Sequence, residues 1–324
     1  VASSGPAGAV HEKLILRNFL SPGDILVMSA ALDALHRAYP GRYRTAVECA
    51  CPAIYENNPY VSPLNGNLAE WTTVQMHYPL IHECNGRPVH FLDGYVDFLS
   101  KFLELNPPLR TMTNRPLLYL SPQEKGWTNQ VEERLGRPQR YWVINSGTKG
   151  DFTAKHWGTH NYQRVVDLLR DRIFFVQVGE AGHNHQPLDG VLNLVGQTDP
   201  RQLIRLVYHA DGGLGPSTFL QHIAAAWQKP YVAIVGGREP KSWLDYPSQS
   251  TLSTQGQLPC CRDRGCWKSR TVTLNDGDEK DKSLCEMPVT HNSHPAIPKC
   301  LDMITPRRVV DEILAFYEGG VLAW

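Results

Sequence analysis

The chain has 324 residues, more than one ordinary domain needs, with 42% hydrophobic and 20% charged residues. Lysine plus arginine equals aspartate plus glutamate, 32 against 32, so no global field draws in nucleic acid or an anionic membrane. No run of about 18 apolar residues and no cleavable leader pattern is visible, which makes the cytoplasm the expected compartment.

The opening "VASSGPAGAVHE" reads as a small, polar tail. "EKLILRN" (12–18) predicts a buried strand. The next stretch predicts one helix whose buried face carries Ile25, Met28, Leu32 and Leu35 at helical spacing, ending at the Pro-Gly of 40–41. "YRTAVEC" (43–49) alternates as a second strand, so the chain opens as a β-α-β unit. In "SPGD" (21–24) the acidic Asp24 stands at the mouth of the helix, suited to capping its first amides or to meeting a substrate. Residues 88–105 hold further helix and strand candidates, 105–116 is too rich in proline to be regular, and "GRPQ" (136–139) is the expected linker.

A second run begins at "RYWVINSGTKGD" (140–151), a strand entering a glycine turn, and continues with a helix (161–171) and a strand (172–180). "VLNLVGQT" predicts another strand. The helix at 199–210 should be capped by Asp199 with Pro200 in its first turn. "DGGLGPSTFLQHIAAAWQKP" (211–230) reads as a glycine loop followed by a helix, then come a strand (231–237) and a last helix (305–320). Strands alternating with helices in two runs predict two Rossmann-like domains with parallel sheets, 10–138 and 139–324.

Two turns carry the donor-type chemistry. Asn145, Ser146, Gly147 and Thr148 follow a strand, where open parallel sheets bind ligands, with Lys149 and Lys155 as phosphate partners. In "GLGPSTFLQHIAAA" (213–226), Gly215 and Pro216 let backbone approach a ligand, and Ser217 or Thr218 can cap a helix pointing its amides at an anion. His222 lies one turn further on. Glu180, closing the strand 172–180, completes the substrate-binding set. Neither a Walker A loop nor G-x-G-x-x-G is present.

Cys260, Cys261, Cys266, Cys285 and Cys300 give the spacing C-C-x4-C-x18-C-x14-C within the polar element 256–302. Thiolates so spaced suit a closed tetrahedral zinc or iron site, and disulfides or buried free thiols are the alternatives. His183, His185, His291 and His294 read as polar loop residues.

The order "SPGD", "SGTK…AKHW" and "GPSTFLQHIAAA" resembles glycosyltransferase family 9, the ADP-heptose heptosyltransferases, over about residues 13–318. The resemblance implies the GT-B architecture, two Rossmann-like domains facing across a cleft, with acceptor on the first and nucleotide sugar on the second. It maps the essential aspartate of the G-D turn onto Gly23 and Asp24, the phosphate lysine of K-x-W onto Lys155, and the nucleotide loop onto 215–222. It implies an inverting transfer of heptose from a nucleotide-activated donor to a protein or glycan hydroxyl, without a catalytic metal. One departure is plain: where heptosyltransferases usually read D-T-G-L-S-H, this chain reads Ser217-Thr218-Phe219-Leu220-Gln221-His222. The cysteine element resembles the iron-binding element of autotransporter heptosyltransferases, with Cys261, Cys266, Cys285 and Cys300 as its ligand set. The alternatives are a sugar-nucleotide epimerase, which would need paired acid and base residues, and a non-catalytic, metal-stabilised nucleotide-sugar-binding protein.

Overall fold

A computed structural model describes residues 12–324, so the expected N-terminal tail lies outside the described residues except for Glu12. The described chain divides into two compact units. The first takes residues up to Ile81 and Phe91–Gly126; the second takes His82–His90 and Trp127–Trp324. The division thus falls at 126/127 rather than at the expected linker 136–139, and a nine-residue excursion, 82–90, belongs to the second unit. The reason is local: Asn85 accepts the Gly265 amide at 2.9 Å and its own amide reaches the Gly265 carbonyl, while the His90 ring meets Tyr246 edge-on.

In the first unit β1 (Glu12–Asn18) is flanked by β2 (Tyr43–Cys49) and β3 (Trp71–Gln75), giving a parallel sheet of order β2-β1-β3. The expected single helix is broken into α1 (Pro22–Val27) and α2 (Ser29–Ala38), which meet at Met28 with its backbone still helical. Ile25, Met28, Leu32 and Leu35 are all buried as expected, but so are Ala30, Ala31 and Ala34. Apolar surface meets protein on more than one side of this helix pair, and α3 (Phe91–Phe102) packs against α2. The short helix α4 (Pro122–Gly126) ends this unit, and α5 (Gln130–Leu135) belongs to the second.

The second unit contains six parallel strands: β4 (Trp142–Ile144), β5 (Phe175–Gln177), β6 (Leu192–Asn193), β7 (Gly212–Pro216), β8 (Tyr231–Gly236) and β9 (Gln249–Ser253). Their order, β6-β5-β4-β7-β8-β9, is the 3-2-1-4-5-6 order of a dinucleotide-type Rossmann sheet. The strand order reverses between β4 and β7, and ligands in such sheets bind beyond the carboxyl ends at that point. Helices α6 (Thr159–Leu169), α7 (Pro200–His209), α8 (Phe219–Ala226), α9 (Lys241–Leu244), α10 (Lys299–Asp302) at the end of the cysteine element and α11 (Pro306–Glu318) after it complete the unit. A small antiparallel pair, β10 (Pro288–Val289) and β11 (Ile297–Pro298), lies within that element. The cap of α7 is as expected: Asp199 accepts the Gln202 amide and Gln202 answers at the Asp199 amide, a complete capping box.

The segment 212–216, expected as a glycine loop, is instead the central strand β7. A Cβ at Gly212 would stand 2.8 Å from the Trp142 ring, and one at Gly213 2.7 Å from the Tyr231 ring. These glycines make room for the large aromatic side chains of β4 and β8.

Candidate functional site

Two strand ends build the site of the second unit. The K-x-W segment is anchored by Trp157, fully buried, whose indole donates to the Ile304 carbonyl at 2.9 Å and whose ring meets Tyr162 edge-on. Two residues before that anchor, the Lys155 ammonium donates to the Ser217 carbonyl at 3.1 Å, just beyond the end of β7. It also pairs at 2.9 Å with Glu239, a buried carboxylate after the end of β8. Arg238 pairs with the same Glu239 oxygen. Burial pushes the Glu239 carboxyl up, but the charges of Lys155 and Arg238 outweigh it and hold it below its usual range.

Thr218 is the N-cap of α8, yet neither it nor Ser217 caps the helix through its side chain; the Thr218 hydroxyl turns back toward the Pro216 carbonyl at 3.5 Å. The expected hydroxyl cap is therefore not formed, and the first-turn amides are not closed off by it. Gly215 and Pro216 lie inside the sheet; a Cβ on Gly215 would stand 2.8 Å from both the Asn145 carbonyl and the Tyr231 hydroxyl. Gly215 thus admits the close packing of β7 against its neighbouring strands. His222 is buried with its Nδ1 2.8 Å from the Tyr246 hydroxyl. Burial, with His90 and Lys155 nearby, pushes its pKa down to about 3, so the ring is neutral at neutral pH.

The turn after β4 forms a second cluster. Ser146 is fully buried and accepts the Gln177 amide at 2.9 Å. Gly147 lies so close under the loop 184–185 that a Cβ would stand 2.1 Å from the Asn184 carbonyl. Thr148 is buried and bridges to Asn184 through its backbone. Glu180 stands apart, an exposed carboxylate 3.5 Å from His183, and Lys149 faces Asp151 at 3.9 Å. Neither meets the Lys155 cluster in a described contact. Glu239 and Arg238 were missed in the sequence because "GGREP" carries no spacing signal. Only the folding of β8's end beside β7 gives them their place.

In the first unit, Gly23 is buried in the first turn of α1 and Asp24 is half-buried at its third position. The N-cap is Ser21, not Asp24, and it makes no side-chain cap bond. The charge of Asp24 is felt by the buried Tyr95 hydroxyl, which accepts the Asn18 amide at 2.8 Å; burial first and Asp24 second push that phenol up.

Cys260, Cys261, Cys266, Cys285 and Cys300, scattered over 41 residues, line one cavity of about 20 Å³. Gly237 permits the approach, since a Cβ there would stand 2.5 Å from Cys261 Sγ. Burial pushes Cys300 up to about 12 and Cys260 up to about 11, with neighbouring cysteines adding to both. All eight cysteines are free thiols, so the disulfide alternative is not formed. Soft thiols converging on one small cavity fit a structural metal chemically. Among the described residues, however, no three His, Cys, Asp or Glu side chains are already drawn into a metal-holding arrangement. The histidines left as loop residues are not all isolated: His160 stacks on His294 at 4.3 Å, and His291 pairs with Asp302 at 2.6 Å.

Taken together, the second unit is a nucleotide-type Rossmann sheet with a lysine at its switch point, and the first is a smaller parallel unit bearing an acidic turn: the α/β organisation of a GT-B glycosyltransferase. The sequence pattern of glycosyltransferase family 9 (heptosyltransferase) matches residues 109–270, half of the chain, and the chain belongs to that family. It is a glycosyltransferase, and the match is to glycosyl transfer rather than epimerisation. The matched span holds Lys155 and 215–222 but not Asp24, Cys285 or Cys300. Solved structures share the fold. The ADP-heptose LPS heptosyltransferase II of E. coli is 16% identical with a TM-score of 0.59, covering 96% of this chain and 100% of its own. The iron-containing dodecameric glycosyltransferase TibC of enterotoxigenic E. coli H10407 is 18% identical with a TM-score of 0.59, covering 95% and 76%. The E. coli heptosyltransferase WaaC with ADP is 14% identical with a TM-score of 0.52, covering 94% and 98%. No curated protein matches the chain by sequence. Among the described residues no helix is long and apolar enough to cross a membrane.

Proposed function

We propose that the chain transfers heptose, with inversion, from ADP-heptose to a hydroxyl of a protein or glycan acceptor in the cytoplasm. The observation that carries this reading is Lys155 beside the Ser217 carbonyl, at the switch point of a 3-2-1-4-5-6 sheet in a family 9 chain. A diphosphate seated there meets the ammonium and the first-turn amides of α8, whose hydroxyl cap is absent. As the glycosidic bond breaks, charge grows on the leaving diphosphate, and those donors offset it. Ser146, Gly147 and Thr148 bound the donor side, with Glu180 and His222 at its margins. Asp24 accepts the proton that the acceptor hydroxyl loses as it attacks the anomeric carbon. A solved relative, the heptosyltransferase TibC, is described in complex with ADP-D-beta-D-heptose, which favours the adenosine donor. The same relative is described as iron-containing. The resemblance of the cysteine element to that of the autotransporter heptosyltransferases favours a protein acceptor over a glycan.

Cys261, Cys266, Cys285 and Cys300 would hold one iron or zinc ion, whose chemistry is to tie distant loops through thiolate bonds. No step of transfer depends on it. The test is a panel of ADP-heptose and matched GDP- and UDP-sugars, read by calorimetry and by donor turnover. ADP-heptose alone should bind and be consumed. Consumption of a GDP- or UDP-sugar instead would overturn the donor assignment, and binding with no consumption of donor, either by water or by supplied protein and glycan acceptors, would overturn the catalytic one.

A further inference from the structure

Lys155, Glu239 and Arg238 form an ion triad around the buried Glu239 carboxylate, and its two arms are held differently. The Arg238 side chain is 7% exposed, its Nε donates to the Lys268 carbonyl at 2.6 Å, and its guanidinium lies over the Phe152 and Trp267 rings at 5.4 and 5.6 Å. That arm is tied at the backbone and between two rings. Lys155 is 21% exposed and reaches Glu239 by the tip of a flexible stem. The same ammonium donates to the Ser217 carbonyl, next to the start of α8, and lies 5.9 Å from the centre of the Phe152 ring.

We propose that Glu239 is the counter-ion that Lys155 gives up when the donor diphosphate arrives, and takes back when the nucleoside diphosphate leaves. The inference rests on the reading of Lys155 as the diphosphate partner. Breaking a buried ion pair costs most when one charge is left alone. Here it is not: Lys155 turns to the phosphate while Glu239 keeps Arg238. Glu239 therefore competes with the ligand for one ammonium. A weak anion cannot displace it, a diphosphate can, and the product is released more readily than it would be from an unpaired lysine. Glu239 is thus a positioning residue that sets diphosphate affinity downward. A merely structural carboxylate would set it upward, by holding Lys155 in place, so the two roles predict opposite signs.

The experiment measures ADP affinity by calorimetry in the full chain and in Glu239→Gln, Lys155→Ala and the double variant. If Glu239 holds Lys155 for most of the time in the free protein, Glu239→Gln should tighten ADP by about five- to tenfold. In the Lys155→Ala background the same change should do nothing, because the competed group is gone. Weaker or unchanged ADP binding in a folded Glu239→Gln protein overturns the exchange. Unchanged affinity in Lys155→Ala overturns the diphosphate reading itself, which is a separate failure. A measurement without substitution stands behind these: in a crystal of the unaltered protein with ADP, Lys155 should lie beyond the roughly 4 Å ion-pair limit from Glu239. A pair still closed in that complex overturns the exchange even if Glu239→Gln does not fold.

Discussion

Asp24 occupies the third position of α1, where a carboxylate faces the positive end of the helix without being its cap. Ser21 takes the cap position, and the charge of Asp24 in the first turn adds a charge–dipole term of about 0.3–1 kcal/mol. Asn is nearly isosteric and the site is half-buried, so Asp24→Asn should move the melting temperature little. It should lower transfer by about two to four orders of magnitude, the usual contribution of a positioned base. Initial rates at saturating ADP-heptose, beside a melting curve, check this. A variant with near-normal turnover would leave Asp24 as a helix-end charge. The residue type and its turn are readable in "SPGD", but whether the carboxylate caps or projects depends on which backbone atoms lie within reach. Four residues do not specify that.

At the scale of elements, the cysteine-rich segment is held by more than its thiols. Buried Arg270 gathers Asp276, Asp278 and Asp281. Thr271 exchanges two hydrogen bonds with Thr153, in the segment leading to Lys155, and the Cys266 and Trp267 amides reach the Gly237 and Arg238 carbonyls. A polar stretch that buries little apolar surface gains order from such ties, and a metal at the five-cysteine cavity would add the strongest of them. Metal analysis of purified protein should find about one iron or zinc per chain. Cys285→Ser should lose most of it, since that thiol is one of the proposed four, whereas Cys260→Ser should keep it. Metal-free native protein, or equal content in all three proteins, would remove the site. The five cysteines were legible as a group. That they share one cavity was not, because it depends on Gly237 letting Cys261 close against the end of β8. The glycine run of β7 misled for a related reason. Composition cannot distinguish glycines that admit a ligand from glycines that admit a neighbouring tryptophan and tyrosine.

For the whole molecule, the second unit buries histidines in their neutral form. His222 is pushed down to about 3 chiefly by burial, and burial together with neighbouring histidines pushes His156 and His185 down to about 4. In the unfolded chain each titrates near its ordinary value, about 6.5. Between that value and the folded ones the unfolded chain binds more protons. The stability is therefore fully present above about pH 6.5 and is lost as pH falls toward 4. For the two most buried, His156 and His222, the loss is up to about 1.4 kcal/mol per pH unit each. Calorimetric scans from pH 7 to 5 should show the second unit's melting temperature fall by about 5 °C or more. A flat profile would mean that these rings gain partners when charged. The same scans should leave the first unit less affected, since none of these three rings lies in it.

Strand and helix periodicity, and the proline and aspartate signals at α7, were enough to predict two parallel α/β units. Those features are local, set by 3.6- and two-residue spacing and by capping chemistry within a few residues. The lysine of "KHW" and the turn after β7 were likewise readable, through residue type and resemblance. The tertiary structure alone decided the rest. The strand order that sets Lys155 beside Ser217, the arrival of Glu239 from β8, the excursion of 82–90 and the shared cysteine cavity all join residues far apart in the chain. Hydrogen bonds and burial between such residues leave no periodic trace in sequence, because their partners are chosen by packing rather than by spacing.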